Sequence, residues 1–149
     1  FLDNTRQIKG DMLDEAVSRG AAFGDLDNDG DIDIIVSNNN DSAALLLNTE
    51  GPEHNWIGFE LEGILCNRDA IGSKLSIRTE SGDQAAWVNP AGSYLTSNDK
   101  RVIFGIAKDQ KVLSLDVEWA GSSKESFTDL EPNFYYKIIQ GRSITLVGQ

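Results

Sequence analysis

The sequence predicts an all-β fold: an antiparallel β-sandwich or open barrel over residues 51–149, preceded by a smaller β-unit in residues 1–50. Three observations carry this. Apolar and polar residues alternate with period two: Ile57, Phe59 and Leu61 with Gly58 and Glu60, Leu75 and Ile77 with Lys74, Ser76 and Arg78, and Leu113, Leu115 and Val117 with Ser114, Asp116 and Glu118. Turn clusters separate these stretches, at Ser81-Gly-Asp83, Asn98-Asp-Lys100, Lys108-Asp-Gln110 and Ala120-Gly-Ser-Ser123. Finally, the aspartate-rich segment 25–33 runs into Ile32-Asp-Ile-Ile-Val36, a β-branched run that reads as a strand.

Taken in order, residues 1–19 are polar, with Asp11–Val17 predicted as a short helical turn. Gly20–Gly24 leads into the aspartate loop, Ile32–Val36 leaves it, and Ala43–Asn48 makes the next strand. Gly51-Pro-Glu-His-Asn55 is the expected boundary, a polar turn cluster between apolar stretches. Beyond it, strands are predicted at 56–62, 74–80, 84–89, 101–106, 112–119, 125–130, 135–140 and 143–147. The expected core is Ile57, Phe59, Leu61, Leu75, Ile77, Val102, Phe104, Leu113, Leu115, Val117, Phe127 and Ile139. Short strands with one polar face each suit a sandwich or barrel.

Five aspartates in nine residues, Asp25, Asp27, Asp29, Asp31 and Asp33, are the strongest chemical signal. Two like charges at ~4 Å repel by about 1 kcal/mol even in bulk water, so a compact loop of this composition needs a cation. Asp25, Asp27 and Asp29 fall at the first, third and fifth positions of a calcium loop, and Gly30 at the sharp turn. Asp31 would then offer its backbone carbonyl and Asp33 a side chain. Hard oxygen ligands with no nearby His or Cys favour Ca²⁺ over a transition metal. An EF-hand is excluded, because Val36 stands where its bidentate Glu belongs and a strand follows in place of a helix.

The stretch Gly20–Val36, with Phe23-Gly24 before the loop, resembles an FG-GAP (VCBS-type) repeat, the calcium-loop blade of integrin-like β-propellers; the likeness covers residues 19–49. It implies calcium in an extracytoplasmic, partial propeller-type repeat, with Asp25, Asp27, Asp29 and Asp33 as side-chain ligands and Asp31 as a backbone ligand. One copy is present and a propeller needs several blades. The chain is therefore expected to be the C-terminal part of a longer protein, with its targeting signal elsewhere.

Residues 55–141 resemble the ASPIC/UnbV domain, through Asn55-Trp-Ile57, Asn67-Arg-Asp-Ala-Ile-Gly72, Gly92–Ser97, Phe104-Gly-Ile106, Val117–Gly121 and Tyr136–Gly141. That domain follows FG-GAP repeats in secreted proteins related to cartilage acidic protein. Ala120 stands where the family commonly has Pro, and Ile106-Ala107 where it has Leu-Gly. The resemblance implies fold and context and names no activity.

Other chemistry is thin. The net charge is −11, of which residues 1–50 carry −8, and this argues against nucleic-acid binding. Cys66 is the only cysteine, so no intrachain disulfide forms. There is no P-loop, GxSxG or HExxH, no transmembrane run that predicts membrane insertion, and His54 sits alone at the domain boundary. Glu60, Glu62, Asp116 and Glu118 occupy the polar phase of their strands and read as solvent-facing charges. Arg68 and Asp69 suggest either a surface ion pair ordering a loop or part of a ligand site, with the structural role favoured. Among the aromatics, Tyr94 in its Gly-Ser-Tyr loop is the best candidate for an exposed contact residue.

The expected function is a secreted or extracytoplasmic, non-enzymatic adhesion or interaction module with structural calcium. Its partner is a protein or a glycan, and the open edges of the incomplete N-terminal repeat invite self-association. The alternatives are a carbohydrate-binding module, or an accessory domain of an enzyme whose active site lies upstream.

Overall fold

The computed structural model describes residues 16–49, 54–108, 111–121 and 123–147. The helical turn expected at Asp11–Val17 lies mostly outside them, as does most of the boundary segment at 51–55. Among the described residues the fold is all-β, with no helix.

Strands β1 (Ser18–Gly24), β2 (Asp33–Asn38) and β3 (Ala44–Leu46) form an antiparallel three-stranded sheet in that order. Eight strands follow among the described residues: β4 (Asn55–Glu62), β5 (Lys74–Thr79), β6 (Gly82–Trp87), β7 (Val102–Ile106), β8 (Val112–Glu118), β9 (Lys124–Phe127), β10 (Tyr135–Ile139) and β11 (Ile144–Val147). They make two four-stranded sheets, β11-β10-β4-β7 and β6-β5-β8-β9, which do not close into a barrel. Each expected strand after residue 55 has its counterpart within one or two residues at most ends.

The two sheets form a sandwich because their alternating apolar residues face one another. Ile57, Phe59 and Leu61 of β4, Val102, Phe104 and Ile106 of β7, and Tyr136 and Ile138 of β10 meet Leu75, Ile77, Val112, Leu115 and Val117 from the other sheet. Trp119, Val88, Ala70 and Leu130 belong to the same buried cluster. Phe59 lies 6.1 Å from both Phe104 and Tyr136, centroid to centroid. Burying each large side chain of this kind stabilises the fold by about 1.5–3 kcal/mol.

Two expected core residues are corrected. Leu113 is 47% exposed. Thr79 pairs with Val112 and Arg78 with Ser114, so β8 carries one extra residue between them. That bulge turns Leu113 outward and brings Val112 into the core in its place. Ile139 is only half-buried and Ile138 takes the core position. The reason is that β10 pairs parallel to β4, opposing Tyr136 to Phe59 and Ile138 to Leu61. The parallel pair also departs from the wholly antiparallel arrangement expected; the long connection from β4 to β10, through the opposite sheet, permits it. Phe127 packs against the core while partly exposed.

The outer face of the β11-β10-β4-β7 sheet positions the site. Trp56 of β4 and Tyr135 of β10 are buried there, outside the sandwich core, 4.9 Å apart between ring centroids. The segment between β1 and β2 covers them. The β1 edge left free by β2 is covered as well, by residues 93–99. Asp99 N–H donates to the Phe23 carbonyl (2.9 Å), and Thr96 Oγ1 donates to the Ala21 carbonyl (3.0 Å). Ala21 N–H donates to Ser93 Oγ and Phe23 N–H to Asn98 Oδ1, each at 3.1 Å. The expected open edge of β1 is thus covered from within the chain.

Candidate metal centre

The loop between β1 and β2 is built around two buried carboxylates. Asp25 is 1% exposed; its Oδ1 accepts from Asp29 N–H (3.2 Å), and its Oδ2 accepts from Gly30 N–H (2.8 Å) and the Tyr135 hydroxyl (2.6 Å). Asp33 is equally buried and accepts from Leu26 N–H at Oδ2 (2.8 Å) and Asn48 N–H at Oδ1 (2.9 Å). Asp25 therefore folds the loop back on itself, and Asp33 ties the start of β2 to both the loop entrance and the chain beyond β3. Asp29 Oδ1 accepts from Asp31 N–H at 2.9 Å.

The turn requires left-handed backbone at two places. Asn28 has φ 63°, which Asn tolerates better than most residues, and Gly30 has φ 95°. A side chain on Gly30 would also run into the Trp56 ring, on which the loop rests.

The carboxylates are crowded. Oxygens of Asp25, Asp27 and Asp29 lie within 4.8 Å of one another. Asp31 Oδ2 is buried and has no hydrogen-bond partner among the described residues. Lost hydration first, then the charges of Asp29 and Asp33, hold the Asp27 carboxyl above its ordinary pKa. Asp31 is raised in the same way, by lost hydration and then by Asp29. Burial, and then the bond it donates to Asp25, push the Tyr135 hydroxyl far up, so it stays a protonated donor.

Among the described residues, one cation reaches the loop from the sandwich. Arg101 Nε donates to Asp99 Oδ2 (2.6 Å) and its Nη1 to Asn28 Oδ1 (2.6 Å), while Nη2 donates to the Asp25 carbonyl. The guanidinium lies over the Tyr135 ring, 4.4 Å from its centroid.

The other expected site residues do not converge. Tyr94 is 67% exposed and lines an open groove with Ser18, Arg19, Ser37 and Leu95. Asp69 forms an exposed ion pair with Lys100 (2.6 Å) rather than with Arg68, and borders a different groove with Glu60, Asp99 and Arg101. Arg68 is exposed, and its carbonyl accepts from Gly63 N–H. Glu60 and Glu62 are held by Lys137, whereas Asp116 and Glu118 lie on the opposite sheet, bonded to Ser126 and Lys124. Trp87, 57% exposed with Lys74 over its ring, is an exposed aromatic that the sequence did not single out.

Sequence reasoning named the aspartates but missed Arg101 and the role of Tyr135. Both touch the loop across 76 and 110 residues of chain, and no local spacing signals such contacts. No helix of the described residues is long and apolar enough to cross a membrane.

No curated protein matches the chain. A family model described as ASPIC and UnbV matches residues 63–145, which takes in β5 to β10 and both Arg101 and Tyr135, while the aspartate loop lies ahead of it. That match covers more than half of the chain, and the chain belongs to the ASPIC and UnbV family.

Proposed function

We propose that the chain is a non-enzymatic, extracytoplasmic interaction module whose aspartate loop holds a structural calcium ion. The observation that carries this reading is the cluster of Asp25, Asp27 and Asp29 oxygens within 4.8 Å of one another. Two oxygens on one Ca²⁺, each at about 2.3–2.6 Å, sit no more than roughly 5 Å apart, so the cluster has the right size. The donor set is all oxygen, which suits a hard cation. The orphaned Asp31 Oδ2 marks negative charge that backbone amides and Arg101 leave uncompensated.

Asp25, Asp27, Asp29 and Asp33 would hold the ion through side chains and Asp31 through its carbonyl. Each Asp33 oxygen keeps a lone pair beyond its amide bond. The ion supplies charge neutralisation and closes the turn. The loop and the three-stranded β1–β3 unit support reading this part as an FG-GAP/VCBS-type blade of a longer, cartilage acidic protein-like chain. Sites of this class bind with Kd of about 10⁻⁴–10⁻³ M, useful where calcium is abundant, which favours an extracytoplasmic setting.

Calorimetric titration with calcium tests the reading. Binding in that range is expected, and Asp27→Ala should abolish it. No heat, and no rise in Tm at millimolar calcium, would refute it. A glycan-binding role has one specific observation in its favour, the exposed Tyr94 beside the Ser18–Arg19–Ser37 groove. Glycan-array binding that Tyr94→Ala removes would promote that role above protein recognition.

A further inference from the structure

The aspartate loop does not stand on its own residues. Its floor is Trp56, one wall is Tyr135, and Arg101 crosses its entrance. All three belong to the sandwich or the segment leading into β7, whereas the carboxylates belong to the N-terminal unit. From this arrangement we infer that Tyr135 and Arg101 are positioning residues of the cation site, so that ion binding and the docking of the β1–β3 sheet onto the sandwich are one linked equilibrium. The inference rests on the calcium reading above and deepens it.

Lone pairs on Asp25 make the case for Tyr135. A carboxylate offers about four acceptor positions, two on each oxygen. Oδ2 spends both, on Gly30 N–H at 2.8 Å and on the Tyr135 hydroxyl at 2.6 Å. Among the described residues, Oδ1 accepts only the longer bond from Asp29 N–H, at 3.2 Å. One position on Oδ1 is therefore open, and Asp25 is set to bind a cation through that oxygen alone. Tyr135 is itself fixed: it pairs with Gly58 on β4, whose missing side chain lets the ring lie directly over the strand.

Arg101 acts differently from a counter-ion. Its partners among the described residues are the Asp99 carboxylate, the Asn28 amide oxygen and the Asp25 carbonyl. None of these is a carboxylate of the loop, so the guanidinium does not compete for the ligand oxygens. It grips the loop backbone and the Asn28 side chain while Asp99 and the Tyr135 ring hold it in place. Asp99 in turn donates its N–H to Phe23 in β1. The same few residues thus hold both the ligand loop and the β1 seam. Linkage is reciprocal: whatever docking contributes to affinity, the ion returns to docking.

The test uses the whole chain and two probes, calcium by calorimetry and terbium by luminescence sensitised through Trp56. Tyr135→Phe keeps the ring and removes only the hydroxyl. It should weaken binding of both ions by about 5- to 150-fold, the usual range for coupled sites. Arg101→Lys keeps the charge, loses the fork, and should also weaken binding. Tyr136→Phe is the control, one residue along the same strand, where the hydroxyl bonds Glu131 instead. It should leave affinity unchanged whatever it does to stability. Calcium should also slow exchange of the Asp99 amide in wild type, and less so in Tyr135→Phe.

If Tyr135→Phe folds poorly, Asn28→Gly tests the same clamp from the loop side while tolerating the left-handed backbone, and weaker binding is again expected. Wild type that binds neither ion overturns the calcium reading and this inference together. Wild type that binds, with Tyr135→Phe and Arg101→Lys binding equally well, overturns the positioning role alone.

Discussion

Gly30→Ala is the sharpest test of how the aspartate loop sits on the sandwich. Two costs add at this position. The backbone is left-handed, with φ 95°, and an L-residue there costs about 1–2 kcal/mol. The new methyl would also fall within the Trp56 ring, and overpacking of that kind costs about 1–3 kcal/mol. Together they predict a loss of roughly 2–5 kcal/mol, large against the ~5–15 kcal/mol that stabilises a typical domain. Gly141→Ala separates the two effects. Gly141 has φ 73°, and a methyl added there would meet nothing within 4 Å among the described residues, so only the backbone cost of about 1–2 kcal/mol applies. The assay is denaturant unfolding followed by tryptophan fluorescence, in chelator so that metal affinity does not enter. Gly30→Ala should lower the midpoint clearly more than Gly141→Ala does. Equal losses would mean that the loop does not press on Trp56, and the docking argument would fail with it.

Two further outcomes are expected. Gln140 is buried, and its Oε1 accepts from the amides of Ile64 (3.0 Å), Leu65 (2.8 Å) and Cys66 (3.3 Å). Gln140→Met keeps the length and removes the acceptor, so it should cost about 1–3 kcal/mol and speed exchange of those three amides; unchanged exchange would show the bonds to be dispensable. Lys137 is raised above 10.5 by its bonds to Glu60 and then Glu62. A folded value above the unfolded one gives stability that is complete below that pH and lost as pH climbs through the raised value. The stability gap between wild type and Lys137→Met, measured by denaturant midpoint, should therefore close in strong alkali; a gap constant with pH would rule out the ion pairs as its source.

How far the sequence could be read depended on the range of the contact. Alternation along a strand is local, so the strands after residue 55 were legible nearly end to end. A bulge is not local in this sense: the partner strand places it, and Leu113, Leu115 and Val117 look equally inward until Thr79 is seen opposite Val112. Ile139 fails for a related reason, since its phase is inherited from a parallel neighbour 77 residues earlier, Glu62. The aspartate loop divides along the same line. Spacing alone named five carboxylates and the glycine turn, because those residues are neighbours in the chain. What seats the loop comes from Trp56, Arg101 and Tyr135, which share no pattern with it. Arg101 and Tyr135 fall within the family-matched segment, and the carboxylates they hold fall outside it. A sandwich of this family without the loop would leave Trp56 and Tyr135 facing water on its outer sheet. Those two buried aromatics are the physical reason to treat loop and sandwich as one folding unit, although the sequence reads as two.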